Sequence, residues 1–401
     1  MAAADERGDD RRRRMRRSTV PPRADWQRRC EDVGFYFHSL GGRYWEEAAC
    51  YVLSGEEVDI LEAAAEELQR LCLEACEHIV RNGRYGELAI PGAFSECVGD
   101  SWKRRDPSIF GRFDLAWDGE GPPKLLEYNA DTPTALIEAS VAQWFWLEDR
   151  KRLESTASGA IDASADQFNS LHEKLIERWR NMNGALGPKT LYFACVRDHE
   201  EDYGNTHYLR DTAVQGGLAT QFIFIEDIGW SADAACFVDL EGNAIEALFK
   251  LYPWEWLARE RFGPHILEVP RSWIEPPWKM LLSNKAVLAI LWELFPEHPN
   301  LLPCHFDAAP LAGADYVRKP ILAREGSNIS LRRNAGELMT GGTYGEEGYV
   351  FQKYAPLALF EGNYAVIGAW IVDDRAAGIG IREDDSPITK NTSRFVPHYF
   401  E

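Results

Sequence analysis

The sequence predicts an α/β protein with mixed sheets, and three observations lead to this prediction. Two short apolar runs, TLYFACV and TQFIFIED, flank a stretch with helical periodicity, which is the pattern of a β-α-β unit. Residues 111–131 read GRFDLAWDGEGPPKLLEYNAD, two alternating segments around a Gly- and Pro-rich turn, and predict an antiparallel hairpin. The last third of the chain alternates strand-like pieces with glycine-rich loops.

The first elements are an arm and a helical region. Residues 1–24 are charged and Arg-rich with few large apolar side chains, so they cannot bury enough surface to offset their ordering entropy. We predict a disordered arm there. Helical spacing between Trp45 and Arg81 predicts two helices, with a capping box at Ser54 and Glu57 and a stop at Gly83.

Later elements follow the hairpin in order. A helix is expected from about Ala135 to Leu153, directly after the second hairpin strand, and the β-α-β unit forms a subdomain at about residues 187–250. After a region rich in Trp and Pro, a helix carries Lys285 near its start. The spacing shows no internal repeat.

Composition narrows the classes of function. The chain has 401 residues, and its 64 acidic against 44 basic side chains give a net charge of −20, which disfavours nucleic acid and anionic membranes as partners. Its 8 cysteines form no CxxC pair, and neither a signal peptide nor a long apolar run is present. These features predict a cytoplasmic protein with reduced thiols; they give no oligomeric state.

The hairpin carries a polar row. Arg112 and Asp114 share one face of the first strand, and Glu127 and Asn129 share one face of the second. Asp114, Glu127 and Asn129 offer the hard oxygen ligands that Mg²⁺ takes beside substrate phosphates, and Arg112 would face developing negative charge. A hairpin with one solvated face shows the same alternation without any metal.

Two lysines favour a phosphorylated ligand. Lys285 and Lys319 could place ammonium groups on opposite sides of a nucleotide pocket. Gly326 and Ser327 follow Lys319 in a loop whose backbone N–H groups could approach phosphate oxygens, although a plain Gly-Ser turn would look alike.

Other segments suggest sites for the remaining ligand groups. Gln352, Lys353 and Tyr354 could form a hinge against an adenine edge, or only an exposed hairpin. Thr132 and Thr134 stand at a helix start, where hydroxyls and free N–H groups favour an anion. Carboxylates that could hold an amine, or simply form a solvated acidic loop, are Asp198, Glu200, Glu201 and Asp202. Arg382 and Arg394 could each hold a carboxylate or an acyl phosphate.

Six segments in order together resemble the glutathionylspermidine synthase family, specifically its ATP-grasp amide-ligase domain. They are GRFDLAWDG, LLEYNADTPTALIEA, WKMLLSNKAVLAILWELFPEHPNLLP, VRKPILAREGSNI, VFQKYAPL and TSRFVPHYF. The resemblance implies a glutathione-synthetase-like ATP-grasp fold with mixed sheets and a glycine-rich phosphate lid. It makes residues 25–401 one ligase domain, with ATP-binding elements at about 275–401.

The resemblance also implies an activity and roles. It implies a ligase that phosphorylates a peptide-like, glutathione-like carboxylate with ATP and lets a polyamine-like amine attack the acyl phosphate. By motif, Mg²⁺ would be bound by Asp114, Glu127 and Asn129, the acyl phosphate stabilised by Arg112, and ATP bound by Lys285, Lys319, Gly326, Ser327, Gln352, Lys353 and Tyr354; both substrates would be small molecules. Thr132 and Thr134 would contact the acid, and Glu200 and Glu201 the amine.

Departures from the family pattern concern the substrate. The arm leaves no room for the amidase domain of bifunctional members, so a stand-alone ligase is expected. Thr132, Thr134 and Ala135 replace the serines and cysteine of members that make glutathionylspermidine, which puts glutathione itself in question. Two alternatives stay open: a nucleotide-binding regulatory or scaffold protein without catalysis, and a kinase-like enzyme that omits ligation.

Overall fold

The computed structural model describes residues 15–187, 189–269, 272–334 and 336–401. The helices α1–α7 are Trp26–Asp32, Gly55–Asn82, Ser95–Arg104, Gln143–Lys151, Leu171–Leu186, Glu200–Gln215 and Ala286–Leu294. A π-helical turn, Glu138–Ala142, leads into α4, and Trp254–Leu257 forms one short helical turn. Short 3₁₀ turns lie at Arg84–Leu88, Gly92–Phe94, Ile225–Asp227, Gly263–Leu267, Pro277–Leu281 and Ala309–Leu311.

Twenty strands accompany these helices in the described ranges. Strands β1–β10 are Arg16–Thr19, Ala49–Leu53, Phe110–Ala116, Lys124–Asn129, Leu191–Cys195, Thr220–Phe224, Gly229–Ser231, Cys236–Val238, Ala247–Leu251 and Ser272–Ile274. Strands β11–β20 are Cys304–His305, Tyr316–Pro320, Ser330–Arg333, Gly336–Met339, Tyr349–Lys353, Ala358–Phe360, Asn363–Val372, Arg375–Asp384, Arg394–Val396 and His398–Phe400.

Three sheets build the body of the protein. The main sheet is antiparallel, in the order β19-β18-β17-β3-β4, with β16 beside β17. A parallel sheet has the order β10-β9-β5-β6, and an antiparallel sheet has the order β11-β15-β12-β13-β14. The predicted α/β class with mixed sheets is therefore confirmed, as are the hairpin β3-β4 and the β-α-β unit β5-α6-β6.

Two large apolar clusters hold these layers together. Helix α2 packs on β17 and β18, and its inner face contributes Leu61, Leu68 and Ile79 to the larger cluster. The predicted capping box is present, because Ser54 accepts the N–H of Glu57. Gly83 ends the helix in the left-handed conformation that glycine adopts at low cost. Within the described residues, no helix combines the length and apolarity needed to cross a membrane.

The prediction of two helices between Trp45 and Arg81 is wrong in its first half. Ala49–Leu53 is strand β2, buried at all five positions, and one helix of 28 residues follows. A short apolar run that is buried on both faces lacks the alternation that distinguishes a strand from a helix, so periodicity alone could not separate the two.

The prediction of a disordered arm over residues 1–24 is also wrong in part. Residues 1–14 lie outside the described residues, but Arg16–Thr19 is strand β1, antiparallel to β2. Met15 is buried, and the Arg17 guanidinium bonds both oxygens of the buried Glu383 at 2.8 and 2.9 Å. Backbone pairing, this ion pair and the burial of the flanking Met15 and Val20 side chains together order the segment.

Candidate active site

A cleft opens where the main sheet, the parallel sheet and the loop after β12 meet. Its cavity has a volume of about 210 Å³, and a neighbouring cavity of about 100 Å³ shares part of its wall. The predicted residues that line these two cavities are Arg112, Asp114, Glu127, Asn129, Thr132, Thr134, Glu201, Asp202, Lys319, Gly326, Gln352, Lys353, Tyr354 and Arg382. Lys285 lies beside Glu127 and Asn129 in a small adjoining cavity.

The hairpin register brings its polar row together. Arg112 is directly opposite Asn129, and Asp114 is directly opposite Glu127. The next strand, β17, presents Gly368 opposite Asp114. A Cβ atom at Gly368 would lie 2.8 Å from Arg112 Cδ, so the glycine leaves room for the arginine side chain.

Arg112 and Asp114 form an ion pair in the cleft wall. The Arg112 Nε donates to Asp114 Oδ1 at 2.7 Å, and its Nη1 donates to the Thr134 carbonyl at 2.6 Å. Burial raises the pKa of Asp114, although the Arg112 charge opposes the rise. Arg112 therefore reaches the predicted position but is already paired, and a bound anion would have to compete with Asp114.

Two ammonium groups surround Glu127. Lys285 Nζ lies 3.1 Å from Glu127 Oε2, and Lys319 Nζ donates to the Leu126 carbonyl at 2.8 Å and to Gln352 Oε1 at 2.7 Å. Burial alone would raise the pKa of Glu127, but the charges of Lys285 and Lys319 lower it to about 2. Burial lowers the pKa of Lys319 to about 8. Glu127 is therefore a stable carboxylate.

The predicted hinge lies along the second cavity, which is walled by apolar side chains such as Val317, Leu331 and Leu357. The N–H groups of Lys353 and Tyr354 already donate to the carbonyls of Pro303 and Asp315, at 2.7 and 2.9 Å. A base that pairs with the backbone of these two residues would therefore have to donate to their carbonyl oxygens.

The loop after β12 reaches both cavities through Gly326. Its φ is +69°, and a Cβ atom there would lie 2.5 Å from the Thr389 carbonyl oxygen, so only glycine fits. Ser327 does not line either cavity in the described chain, and its N–H donates to the Arg324 carbonyl at 2.9 Å. Gly326 thus lines both cavities and Ser327 lines neither of them.

The free N–H groups expected after Thr134 are not available. The backbone N–H groups of Leu136 and Ile137 donate to Asn205 Oδ1 at 2.9 and 3.3 Å. A polar side chain from α6 therefore occupies the anion position that the sequence suggested. Thr132 also has a partner, because Arg324 Nη1 donates to its hydroxyl at 2.7 Å.

The structure separates two pairs of residues that the sequence treated alike. Glu201 lines the cleft, whereas its neighbour Glu200 is exposed and does not. Arg382 lines the cleft, and its Nη2 donates to the carbonyls of Lys390 and Asn391 at 2.6 and 2.9 Å. Arg394 instead bonds Asn363 and Glu383, so it is occupied elsewhere.

A family model described as "Glutathionylspermidine synthase preATP-grasp" matches residues 17–401. The chain belongs to the glutathionylspermidine synthase family. Family membership confirms the predicted class of enzyme, an ATP-dependent C–N ligase. It does not test the roles assigned to single residues, which stay predictions.

Relatives within the glutathionylspermidine synthase family differ in length. A Haemophilus influenzae protein with the provisional name acid–amine ligase is 39% identical over 401 residues, covering 96% of this chain and 100% of that protein. Trypanothione synthetase from Crithidia fasciculata is 28% identical over 81% of this chain and 52% of its own length. The Escherichia coli bifunctional glutathionylspermidine synthetase/amidase is 26% identical over 86% and 58%. The chain thus spans about half the length of the last two proteins.

A solved structure supports the predicted fold. A glutathione-synthetase-like effector from Globodera pallida superposes with a TM-score of 0.52, covering 94% of this chain and 97% of that one, at 10% identity. Identity this low supports the fold alone. The glutathione-synthetase-like ATP-grasp fold is confirmed.

The hairpin residues suit Mg²⁺ by their donor chemistry. No group of three His, Cys, Asp or Glu side chains converges in the described parts of the chain, so the predicted site needs Asn129 as its third ligand. Asn129 Nδ2 lies 3.2 Å from Asp114 Oδ2 and 3.5 Å from Glu127 Oε1, so its amide would have to turn to present its oxygen. Two carboxylates and an amide fit Mg²⁺, which keeps most of its coordination for water and phosphate oxygens.

The cleft contains charged residues that sequence reasoning missed or dismissed. Arg324 bonds Glu255 Oε1 at 2.7 Å and Thr132, and His199 lies against Asp202, whose hydrogen bond raises the pKa of His199 to about 9. Arg324 stands between the noted Lys319 and Gly326, which was a usable signal. His199 adjoins the acidic run, but only the helix start at Glu200 turns it toward the cleft.

Proposed function

We propose that this protein is an ATP-dependent ligase that joins a peptide-like carboxylic acid to a cationic amine through an acyl phosphate. The observation that carries the proposal is the placement of two carboxylates beside two ammonium groups. Asp114 and Glu127 line both cavities and Lys319 lines the smaller one, while Lys285 Nζ lies 3.1 Å from Glu127 Oε2 in the adjoining small cavity. Carboxylates for a cation and ammonium groups for phosphates are needed together at a nucleotide's phosphate end.

The smaller cavity suits the adenine base of ATP, and the larger cavity suits the reacting carboxylate and amine. Apolar side chains would stack on adenine, and the carbonyls of the Lys353–Tyr354 segment would accept from its amino group. The phosphates would then lie between Lys319 and Gly326, at the shared wall. When bound there, Mg²⁺ would neutralise phosphate charge and help to orient the terminal phosphoryl group.

The larger cavity would hold the acid and the amine. Arg112 and Arg382 offer guanidinium groups to the reacting carboxylate, and Thr132 and Thr134 line the same wall. Glu201 offers a carboxylate to the amine. No side-chain nucleophile is needed, because a phosphorylated carboxylate is electrophilic enough for direct attack once water is excluded. A glutathione-like acid and a spermidine-like amine fit this scheme.

Mass spectrometry can test the proposal. The protein is incubated with ATP, MgCl₂ and pools of γ-glutamyl and other small peptides together with mono-, di- and polyamines. We expect a product whose mass equals acid plus amine minus one water, with ADP release that depends on both substrates.

Two variants sharpen the experiment. Glu127→Gln is expected to abolish turnover while the fold persists, and Glu200→Gln, at an exposed position on α6, serves as the matched control. ADP release without a condensed product would indicate a kinase-like enzyme. A complete lack of nucleotide turnover, with no Mg²⁺-dependent ATP binding by calorimetry, would contradict the ligase.

A further inference from the structure

One wall of the larger cavity is apolar. It is formed by Val196, which follows β5, and by Leu251, Tyr252, Pro253 and Trp256, at the end of β9 and in the short helical turn after it. Polar and charged side chains line most of the rest of this cavity. Ligand pockets commonly combine apolar walls with a few polar groups that fix the orientation of the ligand, so this wall marks the position of an apolar part of the ligand.

Trp256 presents an exposed aromatic surface to the cleft, because it is 39% exposed and lines the cavity. The Tyr252 ring meets the indole edge to face with ring centroids 5.6 Å apart, and the Arg324 guanidinium lies 5.9 Å from the Trp256 ring centroid. The Tyr252 hydroxyl is fixed in turn, because it donates to Glu260 Oε1 at 2.6 Å. Trp256 is therefore a preorganised apolar surface that a ligand can cover at little cost in side-chain entropy.

Buried contacts fix this wall to the loop after β4. The Asp131 carboxylate accepts the Lys250 ammonium at 2.7 Å and the Trp254 N–H at 2.9 Å. Lys250 immediately precedes Leu251 of the wall, and Trp254 opens the turn that carries Trp256. The wall therefore has a fixed position relative to the segment that follows Asp131.

That segment leads to the guanidinium proposed for the reacting carboxylate. The Thr132 hydroxyl accepts Arg324 Nη1 at 2.7 Å, and the same guanidinium donates to Glu255 Oε1 at 2.7 Å. Two residues further on, the Thr134 carbonyl accepts Arg112 Nη1 at 2.6 Å. An acid whose carboxylate lies at Arg112 and whose body contacts Thr132 therefore extends toward the apolar wall.

The amine is a poorer match for this wall. Its proposed partner, Glu201, lies in the first turn of α6, and so does Asp202, which pairs with His199 at 3.2 Å. Of the five wall residues, only Val196 belongs to the segment that leads into α6, whereas the other four belong to β9 and the turn after it. The contacts thus favour the acid over the hydrocarbon chain of the amine as the occupant.

We propose that Trp256 is a specificity-determining residue for the acid substrate, and that an apolar side chain next to the reacting carboxylate packs on it. The inference rests on the ligase function proposed above and narrows the class of acid. The expected acid is a peptide-like molecule with a large aliphatic or aromatic residue at its reacting end, rather than one that ends in glycine. A basic residue is disfavoured there, because the Arg324 guanidinium lies against the indole and like charges repel.

Hydroxylamine allows the acid to be tested without the natural amine, because it attacks the acyl phosphate and gives a hydroxamate. The protein is supplied with ATP, MgCl₂, hydroxylamine and γ-glutamyl-alanyl-X peptides in which X is glycine, leucine, phenylalanine, norleucine or lysine. We expect kcat/KM to be about tenfold or more higher for leucine and phenylalanine than for glycine, because an apolar pocket distinguishes even one methylene by about tenfold. Norleucine should exceed lysine, which differs from it by one added ammonium group.

Three variants connect the preference to Trp256. Trp256→Ala is expected to reduce the ratio of kcat/KM for the phenylalanine and glycine peptides to about 1, and Trp256→Phe, which restores an aromatic ring, should recover part of it. Trp144→Ala is the matched control: Trp144 lies on α4, is 38% exposed and lines neither cavity, so the ratio should be that of the wild type. A merely structural role of Trp256 would lower both rates equally and leave the ratio unchanged.

Binding is measured separately from turnover by ¹⁹F NMR of the protein labelled with 5-fluorotryptophan. The Trp256 resonance is identified by its absence in Trp256→Phe. With ADP and MgCl₂ present, the phenylalanine peptide is expected to shift this resonance at concentrations at which the glycine peptide does not. A shift caused by ADP alone, with none on addition of peptide, would mean that closure over the nucleotide covers Trp256, and it would overturn the subsite.

The outcomes separate this subsite from the ligase. Hydroxamate formation with equal kcat/KM for the glycine and phenylalanine peptides, or a preference that persists in Trp256→Ala, overturns the subsite and leaves the ligase standing. A preference for hexylamine over methylamine that Trp256→Ala removes, with none among the acids, assigns the wall to the amine and also overturns the proposal. If no acid gives a hydroxamate, the ligase falls; the subsite then stands as a peptide-binding site if the phenylalanine peptide still shifts the Trp256 resonance, and falls with the ligase if it does not.

Discussion

Charged side chains in the cleft neutralise one another. Arg112 pairs with Asp114, Lys285 with Glu127, and Arg324 with Glu255. Each charged group loses hydration on burial, and its ion-pair partner compensates for that loss. The removal of one partner therefore leaves an uncompensated charge. A nucleotide with its metal would replace these contacts by stronger ones rather than enter an empty polar cavity.

Neighbouring glutamates give the sharpest test at the scale of residues. We expect Glu201→Gln to raise KM for a polyamine by about tenfold, because a charge-assisted hydrogen bond is worth about 1.5–3 kcal/mol, while KM for ATP changes little. Glu200→Gln should change neither constant, since its side chain is exposed outside the cleft. Steady-state kinetics of amide formation measures both. Equal effects of the two substitutions would remove Glu201 from the amine site.

The residues of the candidate site differ in how far sequence could reveal them. Asp114 and Glu127 are visible because one hairpin and a two-residue period place them together. Arg324 lies between Lys319 and Gly326 in the sequence, which is a usable signal, but its contacts with Thr132 and Glu255 join segments far apart in the chain, and no local period reports such contacts. Glu200 and Glu201 are adjacent in sequence, and only the first turn of α6 turns them to different sides.

The helices and strands likewise differ in how far the sequence could reveal them. The hairpin and the β-α-β unit were predictable, because their patterns are local. Strand β1 consists of Arg16–Thr19, all polar or charged, and exists through its pairing with β2 and the contact of Arg17 with Glu383. Strand β2 lies in the core and lacks alternation. Both belong to a sheet that also includes β20, nearly 350 residues further on, and sequence spacing cannot indicate that pairing.

A buried ion pair fixes the loop after β4 to strand β9. Lys250 Nζ donates to Asp131 Oδ1 at 2.7 Å, and Asp131 Oδ2 accepts the Trp254 N–H at 2.9 Å. Neither side chain is exposed. We expect Lys250→Met to destabilise the protein by about 3–5 kcal/mol, because it leaves a buried carboxylate without its cation. Equilibrium urea unfolding measures the change.

An exposed ion pair provides the control for Lys250→Met. Arg16 and Glu401 lie 2.7 Å apart with side chains 42% and 52% exposed, and an exposed pair contributes at most about 1 kcal/mol. Arg16→Ala should therefore have little effect. Similar losses in Arg16→Ala and Lys250→Met would show that the Asp131–Lys250 pair does not hold the two sheets together. Lys250→Met combined with Asp131→Leu should recover part of the stability.

The whole molecule combines a strongly negative surface with a cleft that gathers cations. The net charge of −20 repels a nucleotide at long range, whereas Arg112, Lys285, Lys319 and Arg382 attract it within the cleft. Salt screens exposed charges over about 8–10 Å but screens buried ones much less. The electrostatic field of the whole protein and the field within the cleft therefore act separately. A nucleotide can bind at the cleft although the protein as a whole is acidic.

Two buried groups impose opposite pH dependences on global stability. Burial lowers the pKa of His398 to about 3, from 6.5, so the unfolded chain binds the extra proton and stability is lost as pH falls below 6.5. The pKa of Glu138 is raised from 4.5 to about 8, so the folded chain keeps its proton and stability is lost as pH rises from 4.5 to 8. Each group contributes a slope of about 1.4 kcal/mol per pH unit in its own range.

Variants at these positions should reveal the two slopes as differences from wild type. Urea unfolding from pH 5 to 8.5 is expected to show Glu138→Gln gaining stability relative to wild type as pH rises, because the variant has no buried proton to lose. His398→Asn should gain relative to wild type as pH falls below 6.5. Between pH 5 and 6.5 the two effects oppose each other in the wild type, so only the differences resolve them. Differences that stay constant across this range would mean that neither group titrates abnormally in the folded protein.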